Sequence, residues 1–146
     1  MPSDAPPQST YKGSCHCGQV KYEVDLAADS AKWEVGKCNC TICHKKGYLS
    51  MIAPDVKSFK LLSPSSIDEV GDYSYGSKAM HHRFCKNCGT STFARGNIEA
   101  LGGDFIMINI QTVDNVDLSK NKPQKYWNGL EEKWIPSLVP VPPGAW

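Results

Sequence analysis

The sequence predicts a mainly β single domain. Short stretches of alternating apolar and polar residues recur along the chain, with turn residues between them. Helical periodicity is weak throughout. The 146 residues suit one domain that buries a core of its own.

Residues 1–10, MPSDAPPQST, read as a disordered lead-in that lacks the apolar segment of a secretory signal. Residues 11–146 read as one domain. In QVKYEVDL, residues Val20, Tyr22, Val24 and Leu26 alternate and define a strand buried on one face. YLSMIAP gives a second strand, stopped at Pro54, and FKLLS a short third. DEVGDYSYGS holds one strand among turn residues, and AMHHRFC another. STFARGN predicts a strand that ends in a Gly-Asn turn. DFIMINIQTV is the most apolar stretch, with Ile106, Ile108 and Ile110 on one face and Phe105 and Met107 on the other. It predicts a central strand buried on both faces. One short turn of helix is expected at Thr41, with Thr41 as its N-cap. The proline-rich tail, IPSLVPVPPGAW, is expected to be extended.

Charge excludes some functions. Lysines and arginines number 16 against 15 acidic residues, and no basic block exceeds Lys45-Lys46. That is not the footprint of a dedicated nucleic-acid binder. No apolar run approaches the length of a membrane span. The expected location is the cytosol or the nucleus.

Seven cysteines fall in three groups: Cys15 and Cys17 in CHC, Cys38, Cys40 and Cys43 in CNCTIC, and Cys85 and Cys88 in CKNCG. Their number is odd, so disulfides cannot pair them all, and clustered thiols in a reducing compartment point to metal. A C-x-x-C knuckle brings two thiolates to one ion, and Gly89 supplies the left-handed residue that such a turn needs. Cys15 and Cys17 project to the same side of an extended strand, with Gly18 easing the turn beyond. These two pairs give four thiolates, a closed tetrahedral zinc site with a structural role. Zinc suits soft sulfur ligands in a tetrahedron, and an iron–sulfur cluster is the alternative on ligand type.

Cys38, Cys40 and Cys43 then supply three vertices only. A three-ligand zinc with an open position is the pattern of a catalytic or ligand-binding site, where a bound thiol is held as thiolate. Two other arrangements fit the spacing. His44 closes the site as fourth ligand, or Cys40 and Cys43 join Cys85 and Cys88 in one zinc ribbon. His16, His81 and His82 stand beside the clusters.

The segments GSCHCGQVKYEV, CNCTIC and FCKNCGT resemble the glutathione-dependent formaldehyde-activating family, which includes the centromere protein V group. The resemblance spans roughly residues 12 to 110, uses every cysteine, and in HHRFCKNCGTSTF leans toward the centromere-protein-V branch. It implies an Mss4-like fold of small antiparallel sheets and a structural zinc on Cys15, Cys17, Cys85 and Cys88. It implies a second zinc on Cys38, Cys40 and Cys43, open to glutathione as co-substrate. The implied activity is that of a carbon–sulfur lyase acting on S-(hydroxymethyl)glutathione, the adduct of formaldehyde and glutathione. Lys45, Lys46 and Arg83 are the candidates to hold glutathione carboxylates, and His44, His81 and His82 are candidate proton donors by residue type. The alternative function is a non-catalytic, zinc-stabilised binding module of the kind that the same fold provides for protein partners. The expected partner is a small thiol–aldehyde adduct, with neither membrane nor nucleic acid.

Overall fold

The computed structural model describes residues 5–119, 121 and 123–139. Among them, in chain order, are β1 (Gln8–Ser14), β2 (Lys21–Ala27), β3 (Gly36–Cys38), α1 (Thr41–Lys46), β4 (Ser50–Ile52) and β5 (Lys60–Ser63). Then follow β6 (Gly71–Tyr73), β7 (Met80–Phe84), β8 (Ser91–Ile98), β9 (Gly103–Asn109), β10 (Lys125–Asn128) and β11 (Lys133–Ser137). They build two sheets. The smaller has the order β1-β2-β5, and the larger runs β11-β10-β3-β4-β9-β8-β7-β6. Every neighbouring pair is antiparallel except β3 with β10, which is parallel. The mainly β reading therefore holds.

The core lies between the sheets. Val20, Tyr22, Val24 and Leu26 are all buried, as their alternation requires, and pack with Phe93, Ile106 and Ile108 of the larger sheet. Phe59 links the layers, its ring 5.4 Å from that of Tyr22 and 4.5 Å from that of Phe93. The buried Tyr22 hydroxyl is satisfied by Thr112 at 2.8 Å.

β9 lies inside the large sheet, as its sequence demands. Ile106 and Ile108 enter the core, whereas Phe105 and Met107 line a cavity on the sheet's opposite face. Ile110 lies just past the strand, in a 3-10 turn over residues 110–112, and is still fully buried. Cross-strand register puts Ile52 opposite Met107, Met107 opposite Ala94, and Ala94 opposite His82, all on that outer face.

Several local expectations need correction. β1 begins at Gln8, inside the segment read as lead-in. β8 does not turn at Gly96-Asn97 but continues to Ile98. The turn falls at residues 99–102, and a Cβ on Gly96 would sit 2.9 Å from Met80 Cγ and 3.1 Å from Phe105 Cε1. Gly96 is there to make room, not to turn the chain. The N-cap of α1 is Cys40 rather than Thr41, and its side chain makes no capping hydrogen bond. Of the tail from Ile135 onward, residues 135–137 are extended as expected but are paired, as the end of β11, while 140–146 lie outside the described residues.

Candidate metal centres

The first cluster joins two turns. Cys15 and Cys17 lie in the turn between β1 and β2, just past the strand end. Cys85 and Cys88 occupy the turn between β7 and β8. Gly18 and Gly89 close the two turns at φ of +81° and +77°, as the left-handed reading of Gly89 expects. The four Sγ atoms lie within 4.8 Å of one another, with Cys17 at 3.6 Å from both Cys15 and Cys85. A tetrahedron with Zn–S bonds of about 2.3 Å has S–S edges of roughly 3.8 Å, so the donor set fits zinc. Backbone N–H groups already point at the sulfurs: Val20 N donates to Cys15 Sγ (3.2 Å), and Asn87 N to Cys85 Sγ (3.4 Å). The Thr90 hydroxyl and backbone hold the Cys88 thiol down at about 5, while burial pushes Cys85 up to about 11. Because one turn belongs to each sheet, the cluster staples the two layers together.

The second cluster is local. Cys38 ends β3, Cys40 caps α1 and Cys43 lies in its first turn. Their three sulfurs also lie within 4.8 Å of one another, and no fourth His, Cys, Asp or Glu among the described residues joins them. Interaction among the three sulfurs lowers Cys40, through Cys38 and then Cys43, and raises Cys38, through Cys40, and Cys43, through Cys38 and then Cys40. Three thiolates at this spacing need a cation among them, and a soft divalent ion is what such a donor set accepts. His44 is exposed and does not join the group, and the knuckle of Cys85 and Cys88 pairs with Cys15 and Cys17 rather than with Cys40 and Cys43.

A feature that the cysteine spacing did not reveal holds this cluster from the other side. Asn39, buried between Cys38 and Cys40, donates through Nδ2 to Asn128 Oδ1 (2.9 Å) and accepts from Leu130 N (3.1 Å). The loop after β10 is thereby drawn over the sulfurs. A Cβ on Gly129 would lie 2.7 Å from Cys38 Sγ. The only sequence signal was the polar residue inside C-x-C and the Asn-Gly pair far downstream.

Cys38, Cys40 and Cys43 face a cavity of roughly 660 Å³ on the outer side of the large sheet. His82 lies on the same wall, buried, its Nδ1 3.2 Å from the Tyr48 hydroxyl. Its ring stacks between Tyr48 and Tyr75, at centroid distances of 5.9 and 6.3 Å. Burial lowers its pKa, with Lys46 adding to the effect and Cys40 and Asp72 opposing it. Burial also pushes Tyr48 up to about 12. His81 points elsewhere, paired with Asp72 at 2.9 Å. His44 lines a separate depression with Gln111 and Pro123. Lys46 is bonded to Ser91 (3.1 Å) and lies over the Phe84 ring. Arg83 reaches the Ile67 carbonyl and Asp72, and Lys45 is exposed. None of these three cations lines the cavity.

Fold and sites together define a class: a mainly β protein with one closed and one open thiolate cluster, both suited to zinc. Within that class the assignment is specific. The model of the family described as glutathione-dependent formaldehyde-activating enzyme matches residues 10–129, and the chain belongs to that family. Its fold is also similar to the crystal structure of a Rhodobacter sphaeroides protein, with a TM-score of 0.65 and 22% identity over 80% of this chain and 99% of that one. No helix among the described residues is long and apolar enough to cross a membrane.

Proposed function

We propose that the chain is a zinc-dependent, carbon–sulfur lyase-like enzyme that makes or breaks a thiol–aldehyde adduct, such as S-(hydroxymethyl)glutathione or the adduct of another small thiol. One observation carries this reading: among the described residues the three sulfurs of the second cluster have no fourth protein ligand in their group, and they face a cavity large enough for a substrate. A zinc held by Cys38, Cys40 and Cys43 would supply the positive charge that keeps a substrate thiol ionised at neutral pH.

The chain's own residues account for the rest. In the forward direction the thiol sulfur bonds to the aldehyde carbon, the C=O π pair moves to oxygen, and that oxygen takes up a proton. In reverse the C–S bond breaks and the proton leaves the hydroxyl. No oxidant or reductant is required. His82 is the candidate for proton transfer that shares the cavity wall with the cluster. The Tyr48 hydroxyl lies 3.2 Å from Nδ1, and in the tautomer where it donates there the neutral ring carries its proton on Nε2, able to give it up and take it back. Stacking between Tyr48 and Tyr75 fixes the plane of the ring, and the apolar wall limits water around the reacting atoms.

The test is optical. In protein loaded with cobalt in place of zinc, a thiol that binds the second site changes the sulfur-to-cobalt band. The reading expects such a change, lost in Cys43→Ser, together with accelerated formation or decay of the hemithioacetal by NMR. A band unmoved by any small thiol at millimolar concentration would favour the non-catalytic, zinc-stabilised binding module.

A further inference from the structure

The wall of the cavity is apolar to an extent that bears on the substrate. Phe105, Met107 and Ile52 come from one face of the large sheet, Met80 from β7, and Trp127 and Trp134 from β10 and β11. Gly96, by having no side chain, lets Met80 and Phe105 converge over β8. The volume, roughly 660 Å³, is that of a site for a drug-sized ligand and far exceeds what an aldehyde of one carbon requires.

The charges on this wall cancel. Among the described residues they are Lys32, Lys125, Glu34 and Glu132, and Lys125 Nζ is bonded to Glu34 at 2.5 Å. Glutathione brings two carboxylates and one ammonium group. A pocket that selects it needs cations free to pair with those carboxylates in fixed geometry, because desolvating an unpaired carboxylate is costly. Here Lys125 is taken by Glu34, Lys46 and Arg83 are engaged elsewhere, and Lys32 alone remains on the wall for the two carboxylates of glutathione. A hydrophobic group meets no such penalty and gains by leaving water.

Resting on the reading of the second cluster as a thiol site, we infer that the preferred substrate is the adduct of an uncharged, hydrophobic thiol, with an aryl or branched alkyl group that fills the space beside Trp127, Phe105 and Met107. The bond changes are those already described, with only the group on sulfur different.

The experiment titrates the full-length, cobalt-loaded protein with benzyl mercaptan and with glutathione, reading both the sulfur-to-cobalt band and tryptophan emission. Benzyl mercaptan is expected to bind at least tenfold tighter, and toluene, which has no sulfur, to compete with it and shift the emission. Ile52 is 36% exposed, so Ile52→Lys adds a cation to the wall at little risk to the fold. That variant should narrow the preference for benzyl mercaptan at least threefold. Glutathione binding as tightly as benzyl mercaptan, or toluene without effect on either signal, overturns the inference and leaves the thiol-site reading intact. A cobalt band moved by neither thiol overturns the thiol-site reading itself.

Discussion

Gly129 sits so close to Cys38 that a single added methyl group would fall 2.7 Å from its sulfur, inside van der Waals contact. The loop that carries Gly129 is pinned there by the hydrogen bonds that the buried Asn39 side chain donates to Asn128 and accepts from Leu130 N. The second cluster is thus shaped by two segments about ninety residues apart, although all its ligands lie within one short stretch.

Gly129→Ala should therefore displace Cys38 and weaken the second metal selectively. Metal analysis after gel filtration should give about one zinc per chain where the wild type, replete with metal, holds up to two. The first cluster lies in other turns and should keep its zinc. Two firmly held zincs in the variant would mean that the loop does not constrain the site.

The structural cluster predicts a different outcome. Cys15→Ser or Cys88→Ser should unfold the chain or lower its melting temperature drastically. A structural zinc contributes apparent binding energy of about 10 kcal/mol or more, comparable with the roughly 5–15 kcal/mol that holds a typical domain together. The cluster joins turns from both sheets, so its loss removes one of the ties between the two layers. A variant that melts like wild type by circular dichroism would refute the structural assignment.

Much of this was legible in the sequence, for physical reasons. Val20 to Leu26 alternate strictly because one face of β2 meets the core and the other does not. The two cysteine clusters are readable from three groups in the sequence because thiolate geometry restricts spacing. β1 escaped notice because it is an edge strand with mostly exposed side chains, and β10 and β11 because they are short and lie among proline and charged residues. The cavity was invisible for a deeper reason. Its wall gathers single residues such as Ile52, Met80, Phe105 and Trp127 from strands far apart in sequence, and each looks like ordinary core in its own segment. The same applies to the choice among histidines, which depends on which strand face meets the cavity: that of His82, not that of its neighbour His81.

His82 gives a prediction for pH and for rate. Its pKa in the folded chain lies below the unfolded value of about 6.5, because burial disfavours the charged ring. The folded state then binds fewer protons than the unfolded state between the two values. Stability from this group is complete above about pH 6.5 and is lost as pH falls toward the folded value. Denaturation midpoints followed downward from neutral pH should fall less steeply in His82→Gln than in wild type. The two proteins are compared at the same measured zinc content, because Cys40 acts on His82. The same substitution should slow turnover about 100-fold or more if His82 carries the proton. Wild-type turnover in His82→Gln would remove His82 from the mechanism.

Cys43→Ser separates the two clusters most directly. Its site closes only the short loop from Cys38 to Cys43, so little chain entropy is released when that zinc is lost, and the two sheets do not depend on it. The variant should fold, keep the first zinc and melt within a few degrees of wild type. It should lose the second zinc, the thiol-dependent change in the cobalt band and the acceleration of hemithioacetal exchange. The combination matters, because the two clusters use the same ligand chemistry and differ in what their sulfurs connect. If Cys43→Ser instead unfolds like Cys15→Ser, the second cluster is also a structural staple and the open-site reading fails. If it keeps the fold and still responds to thiol, the thiol binds elsewhere.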